Sequence, residues 1–407
     1  MKRIDLPESM TAPAVKRVFA ALEAAGGAGC VRFIGGCVRD VIMGRVAGDI
    51  DLCTQLLPDE TEAALEAAGI RHVPTGKAHG TISAIVEGVP YEITSLREDV
   101  ETDGRRAVVS FTDNWGKDAL RRDFYINALY ADIRGQVYDP TGQGLKDAAV
   151  GRVRFIGDAE TRLREDYLRI LRFFRFTAGY AHGFDEASLT ACVALRAGID
   201  SLSGERIAQE LLRILEVPDP VAVCERMIAD GVMAQALGGV AVSGRVLPSV
   251  CALTGEAELR LAGLLWPEGA TPEALQAVAS RLKLSGKLRS RLKNIFEYIE
   301  CDGDLLISIY VLGREVMHDV LTLRAARDGL TPEALGEVQA RLAAMAVPVF
   351  PLKAVDLMAV GMAAGPELGQ ALKRIETDWL NNGFSQNVIT KAVDDIRNRT
   401  NIGGKLN

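Results

Sequence analysis

Two rhythms divide the chain. Up to about residue 150, short runs alternate apolar and polar positions: Cys30 to Ile34, Asp49 to Cys53, Thr81 to Val86 and Val89 to Thr94. A period of two sends successive side chains to opposite faces, so these runs predict strands, and Glu87 and Gly88 predict a two-residue hairpin between the last pair. From about residue 155 the apolar spacing changes to three and four, as in Leu168, Leu171 and Phe174 or Ile207, Leu211, Leu212 and Leu215. That spacing lines one face of a helix. Pro218 and Pro220, the Gly- and Val-rich residues 238–244, and Pro348 to Pro351 punctuate the helical part. The pattern predicts an α+β fold: a head at 1–150, then a helical neck at 151–217, body at 218–345 and tail at 346–407.

Composition narrows the class. At 407 residues the chain exceeds one ordinary core. With 48% hydrophobic and 25% charged residues it is neither disordered nor fibrous. No run reaches the length of a membrane span, and the N-terminal segment lacks the apolar core of a signal peptide, so a cytoplasmic protein is expected. Seven cysteines without a C-x-x-C pair read as reduced thiols with no disulfide partner, and four histidines form no metal motif. The net charge of −7 by itself argues against a polyanionic partner.

The chemistry is densest between Ile34 and Leu52. Gly35 and Gly36 follow a strand and open a helix over Val38 to Met43, a turn whose N–H groups can approach a phosphate; a plain turn is the alternative. Asp49 and Asp51, on one face of a strand, place two carboxylates side by side. Such a pair is costly without a cation, and hard oxygen donors suit Mg²⁺ alongside substrate phosphates; a solvated strand end is the plain alternative. Glu92, opposite its apolar neighbours Tyr91 and Ile93, offers a third catalytic carboxylate for a two-metal site, or is only the exposed half of an edge strand.

These residues carry a resemblance. Gly35 to Asp40, followed by Gly48 to Asp51, resembles the nucleotidyltransferase signature of class II tRNA CCA-adding enzymes and bacterial poly(A) polymerases. Arg121 to Ala128 resembles the R-R-D-F-T-x-N-A motif of that family, with Tyr125 in place of Thr. The resemblance implies a polymerase β-like head with a small mixed sheet. It also implies that Gly35, Gly36, Arg39, Arg121, Arg122, Asp123 and Asn127 hold a nucleoside triphosphate, the two arginines as phosphate forks and Asp123 and Asn127 from one helical face.

Glu165 to Phe176 is similar to the E-D-x-x-R motif of the family and the arginine-rich helix behind it. Asp166 and Arg169, three apart and so adjacent on a helix, can accept from and donate to one base edge. Cytosine and adenine both present an amino donor beside a ring-nitrogen acceptor, whereas guanine and uracil present the reverse. An intrahelical salt bridge is the plain alternative. Arg172 continues the series toward the nucleotide, or braces the neck with Arg175. From Arg152 to Arg175 seven arginines face four acids, a local balance of 7 − 4 = +3.

Leu96 to Asp99, then Asp103, Arg105 and Arg106, resembles the mobile loop that helps CCA-adding enzymes switch from C to A. Asp139 to Asp147 resembles the head-to-neck connector, and Gly204 to Leu211 the motif closing the neck. Lys283, Lys287, Arg289, Arg291 and Lys293, in a stretch without acids, can track an RNA backbone or form a solvated helix face. The resemblance implies Mg²⁺-dependent addition of C-C-A to tRNA 3′ ends from CTP and ATP. A poly(A) polymerase or A-adding enzyme is the nearest alternative, and a non-catalytic RNA-binding protein the alternative from another class.

Overall fold

A computed structural model describes every residue except Met1, Gly104, Arg105, Asp302 and 404–407. The chain divides into two compact units: Met1–Cys251 with Gly255–Ser285, and Ala252–Thr254 with Gly286–Asn407.

The first unit opens with α1 (Glu8–Thr11) and α2 (Pro13–Gly26), then β1 (Val31–Ile34), α3 (Gly36–Ile42), β2 (Asp51–Thr54), α4 (Pro58–Ala67), β3 (Arg71–Gly76), β4 (Thr81–Val86) and β5 (Val89–Ser95). After β6 (Arg97–Asp103), β7 (Arg106–Phe111) and α5 (Trp115–Leu120), β8 (Tyr130–Ala131) and β9 (Val137–Tyr138) complete a mixed sheet in the order β3-β4-β5-β2-β1-β8-β9. Within it β2 runs parallel to β5 and antiparallel to β1. Glu87 (φ 54°) and Gly88 (φ 83°) both take the left-handed conformation that a tight hairpin needs.

Two sequence expectations change, and three strands go unseen in the sequence. Asp49 is not on the strand: β2 begins at Asp51, and Asp49 sits exposed in the preceding bend. The segment read as a mobile loop forms a two-stranded antiparallel ribbon, β6 with β7, in which Arg97 faces Phe111 and Asp103 faces Arg106. Its charges at Arg97, Glu98, Asp99 and Glu101 hide the strand pattern, and pairing rather than alternation defines it; Arg105 lies outside the described residues. The short β8 and β9 are too brief to alternate, and Pro74 masks β3.

Helices then take over: α6 (Gly144–Ala149), α7 (Ala159–Glu165), α8 (Leu168–Tyr180), α9 (Glu186–Ala194), α10 (Gly204–Glu216), α11 (Val221–Ala229), α12 (Val232–Ala236), α13 (Leu247–Leu253), α14 (Ala257–Leu265) and α15 (Pro272–Leu282). On α8 the expected face, Leu168, Leu171 and Phe174, is buried, and Ile170 and Phe173 are buried beside it. Phe173 stacks on Phe155 at 5.8 Å, and Phe155 lies 4.9 Å from Phe124, so aromatic rings join the neck to the head. At Gly204 a Cβ would meet the Arg281 carbonyl oxygen at 2.1 Å, which demands glycine where α10 begins.

The second unit holds α16 (Gly286–Tyr298), α17 (Leu305–Arg327), α18 (Pro332–Ala344), α19 (Ala354–Ala359), α20 (Pro366–Asn381) and α21 (Gln386–Gly403). Gly313 (φ 80°) breaks α17, and Tyr310, Phe350 and Phe384 pack on Trp379. No helix among the described residues is long and apolar enough to cross a membrane.

Phe173→Ala removes a ring from the head–neck contact and is expected to cost about 3–5 kcal/mol. Hydrogen exchange of the α8 and α10 amides measures the loss, and undiminished protection there would contradict this packing.

Candidate active site

Parallel pairing of β2 with β5 sets Asp51 directly opposite Glu92, with Asp49 two residues before it. Burial, then the charges of Glu92 and Asp49, push the Asp51 carboxyl up to about 6, while Arg122 pulls the other way. A cation would relieve this repulsion. Among the described residues no three acidic, histidine or cysteine side chains enclose a metal point unaided. Such an open, oxygen-only donor set fits Mg²⁺, which takes one or two carboxylates and completes its shell with phosphate oxygens and water.

Beside Asp51 opens a cleft of about 500 Å³. Of the expected residues it gathers Gly35, Gly36, Arg39, Asp51, Arg122, Asp123, Asn127 and Arg172. Gly35 (φ 67°) turns the chain from β1 into α3, a conformation that favours glycine, and presents the start of that helix to the cleft.

The floor of the cleft is a chain of buried polar groups. Arg39 donates through Nε (3.0 Å) and Nη2 (2.8 Å) to Asp40 and through Nη1 to the Asn127 side-chain oxygen (2.7 Å). It also donates through Nη2 to the Tyr180 hydroxyl (2.5 Å). Asn127 donates to Asp123 Oδ1 at 3.1 Å, and Arg172 donates to Asp123 Oδ2 through Nε (2.8 Å) and Nη2 (2.5 Å). Burial alone would raise the Asp123 carboxyl; Arg172, Asn127 and the Phe124 N–H reverse this and hold it at about 2. Behind Arg172 the buried Glu210 of α10 lies 3.8 Å from it and 3.1 Å from Arg175.

Several sequence readings are corrected by these partners. Asp123 and Asn127 do not share an α-helical face: α5 ends at Leu120, and Asn127 closes a single 3₁₀ turn that brings it back to Asp123. Arg121 is no phosphate fork in the cleft. Its Nε donates to Asp118 at 2.9 Å. Arg172 lines the cleft, yet its guanidinium is spent on Asp123 and Glu210, so it braces the neck, as Arg175 does.

Asp166 and Arg169 do not lie on one helix, because Asp166 ends α7 in an extended conformation and α8 starts at Leu168. Asp166 accepts from Arg206 at 2.6 Å and from the Leu168 N–H at 3.1 Å. Arg169 bonds through Nη1 to Glu165 and to the Arg162 carbonyl. Neither lines the cleft beside Asp51. The cationic surplus of residues 152–175 also vanishes: Asp147 takes Arg152 and Arg154, Asp123 takes Arg172, and Glu210 takes Arg175.

In the basic stretch, Lys283 is exposed at the end of α15. In the second unit Lys287, Arg289 and Lys293 are exposed on α16. Arg291 is held there by Asp319 at 2.6 and 2.9 Å, which removes it from a phosphate-tracking role.

Sequence reasoning missed Arg45, Phe176, Tyr180 and Arg213 as cleft residues, and Asp118 behind it. Helical spacing held the signal for part of this: Arg172, Arg175, Phe176, Gly179 and Tyr180 follow the three-and-four rule along α8, and all line the cleft.

Residues 31–154 match the family model described as "Poly A polymerase head domain", and residues 183–241 the one described as "Probable RNA and SrmB- binding site of polymerase A". The Mus musculus protein named CCA tRNA nucleotidyltransferase 1, mitochondrial, is 31% identical over 379 residues, 87% of this chain and 83% of its own. A CCA-adding enzyme of Streptococcus pyogenes is 40% identical over 188 residues, 46% of each chain. The crystal structure of the Bacillus stearothermophilus CCA-adding enzyme in complex with CTP aligns over 97% of this chain and 100% of that one, with a TM-score of 0.80 and 25% identity. A carboxylate edge beside an arginine-lined cleft, the fold around it and these similarities lead to one assignment: the chain belongs to the family of CCA-adding tRNA nucleotidyltransferases and poly(A) polymerases.

Proposed function

We propose that the chain adds or repairs the 3′-terminal C-C-A of tRNA, using CTP and ATP. The observation that carries this reading is Asp51 in register with Glu92 at the edge of the arginine-lined cleft. In the reaction the RNA 3′-oxygen bonds to the α-phosphorus, the bond to pyrophosphate breaks, and the hydroxyl proton is lost to water.

Asp49 and Asp51 would hold Mg²⁺ in a two-metal site, which when bound stabilises charge on the attacking and leaving oxygens. Glu92 is the third carboxylate, matching the charge of that site. The turn at Gly35 and Gly36 offers backbone N–H groups to phosphate oxygens. Arg122, which lines the cleft and is held by Asp118 through Nε and Nη2, adds its Nη1. Asp123 and Asn127, fixed between Arg39 and Arg172, form the wall against which the ribose packs.

Asp166 and Arg169 are the base-reading pair in this proposal. Arg206 and Glu165 hold them in place, and Arg169 keeps Nε and Nη2 unengaged among the described residues. Guanine or uracil would leave buried polar groups unpaired at about 1–3 kcal/mol each. Asp103 and Arg106 of the β6–β7 ribbon, together with Arg105, would assist the change from C to A. Lys283, Lys287, Arg289 and Lys293 would meet RNA phosphates. Chemistry is thus assigned to 1–150, base choice to 151–217, RNA holding to 218–345 and the tail to 346–407. A cytoplasmic site of action is favoured, and the seven free thiols suit such a reducing compartment.

With tRNA lacking its last three nucleotides, CTP and ATP together are expected to give C-C-A in that order; a long A tail would establish poly(A) polymerase activity instead. Asp51→Asn is expected to abolish incorporation while tRNA binding persists in a filter assay, and retained activity would refute the metal role. For Asp166→Ala, misincorporation of UTP and GTP is expected to rise about tenfold or more; unchanged exclusion of both would sink the base-reading pair.

A further inference from the structure

Behind the cleft lies Asp118 of α5, a fully buried carboxylate that belongs to none of the motifs above. Both of its oxygens are saturated. Oδ1 accepts from Arg121 Nε at 2.9 Å and from the Arg97 N–H at 3.4 Å. Oδ2 accepts from Arg122 Nε at 3.2 Å, Arg122 Nη2 at 3.0 Å and the Tyr130 hydroxyl at 2.7 Å. Burial would raise this carboxyl, but Arg122, Arg121 and Tyr130 hold it down at about 2, so it stays ionised.

The pairing with Arg122 is two-pronged. Nε and Nη2 form one edge of the guanidinium plane, and both are taken by Asp118, with Nη2 also 3.4 Å from Cys53 Sγ. A planar fork gripped along one edge has its orientation fixed, and the opposite corner, Nη1, is left for the cleft that Arg122 lines. Asp118 lies on α5 and Arg122 two residues past its end, four apart in sequence, so the grip comes from within one short segment of chain.

We propose that Asp118 is a positioning residue for nucleotidyl transfer, aiming Arg122 at a phosphate group of the incoming nucleotide. Asp118 touches no reacting atom in this arrangement; it acts through Arg122. The proposal rests on the reading of Arg122 as a phosphate contact.

Steady-state kinetics of the full chain with CTP and a tRNA primer test it, using Asp118→Asn, Arg122→Ala and the double variant. Asp118→Asn is expected to raise the KM for CTP about tenfold to a hundredfold, the loss of one charged pairing, and to change kcat far less. Adding it to Arg122→Ala is expected to change nothing further, because two residues acting through one contact are not additive. A normal KM in Asp118→Asn when Arg122→Ala raises it, or effects that multiply in the double variant, would overturn the positioning role. A normal KM in Arg122→Ala would remove the phosphate reading and the proposal with it. Should Asp118→Asn not fold, Asp118→Glu, which keeps the charge and displaces the carboxylate, is judged by the same comparison.

Discussion

Everything in the first unit leans on one run of buried polar groups, Glu210 to Arg172 to Asp123 to Asn127 to Arg39 to Asp40 and Tyr180. A buried charge is tolerated only when paired, and removing one partner strands the next at about 3–5 kcal/mol. The run starts on α10, passes through α8, crosses the turn after α5 and ends on α3 with Tyr180 of α8 folded back over it. The cleft wall therefore exists only when the neck helices are docked on the sheet-bearing part. The stacked rings of Phe124, Phe155 and Phe173 supply the apolar half of that docking.

The same run explains how an acidic chain can build a cationic cleft. Arginines in the neck look abundant, but Asp147, Asp123, Glu210 and Glu165 neutralise most of them. What remains for an anion is set by individual donors: Arg122 Nη1, the turn at Gly35, and arginines on the rim such as Arg45 and Arg213. Net charge counts residues, whereas anion binding counts donors with no prior partner. A value of −7 is compatible with a phosphate site once that distinction is made.

Two design features keep the acidic edge usable. Asp51 is half-buried beside Glu92 and near Asp49, so the bare carboxylate edge is electrostatically costly, which is the ground for the cation proposed there. Arg122 stands close enough to oppose that repulsion without being consumed by it, because Asp118 already occupies one edge of its guanidinium.

Sequence by itself determined the local order. The β-type alternation, the hairpin at Glu87 and Gly88, the helical face of α8 and the glycine turn ahead of two aspartates are properties of neighbours in the chain, and period and spacing expose them directly. The fold class follows from that local record, and the resemblance of the motifs supplied about half of the cleft residues. Only the tertiary structure decided which groups remain available. Parallel pairing of β2 with β5 joins Asp51 to Glu92, 41 positions apart, and no periodicity encodes that register. Arg121, Arg172 and Arg291 look identical in sequence to arginines that bind phosphate. Arg172 and Arg291 differ because Asp123 and Asp319 arrive beside them on folding, and an ion pair between remote residues leaves no trace in the local pattern, whereas Arg121 is taken by Asp118 only three positions away.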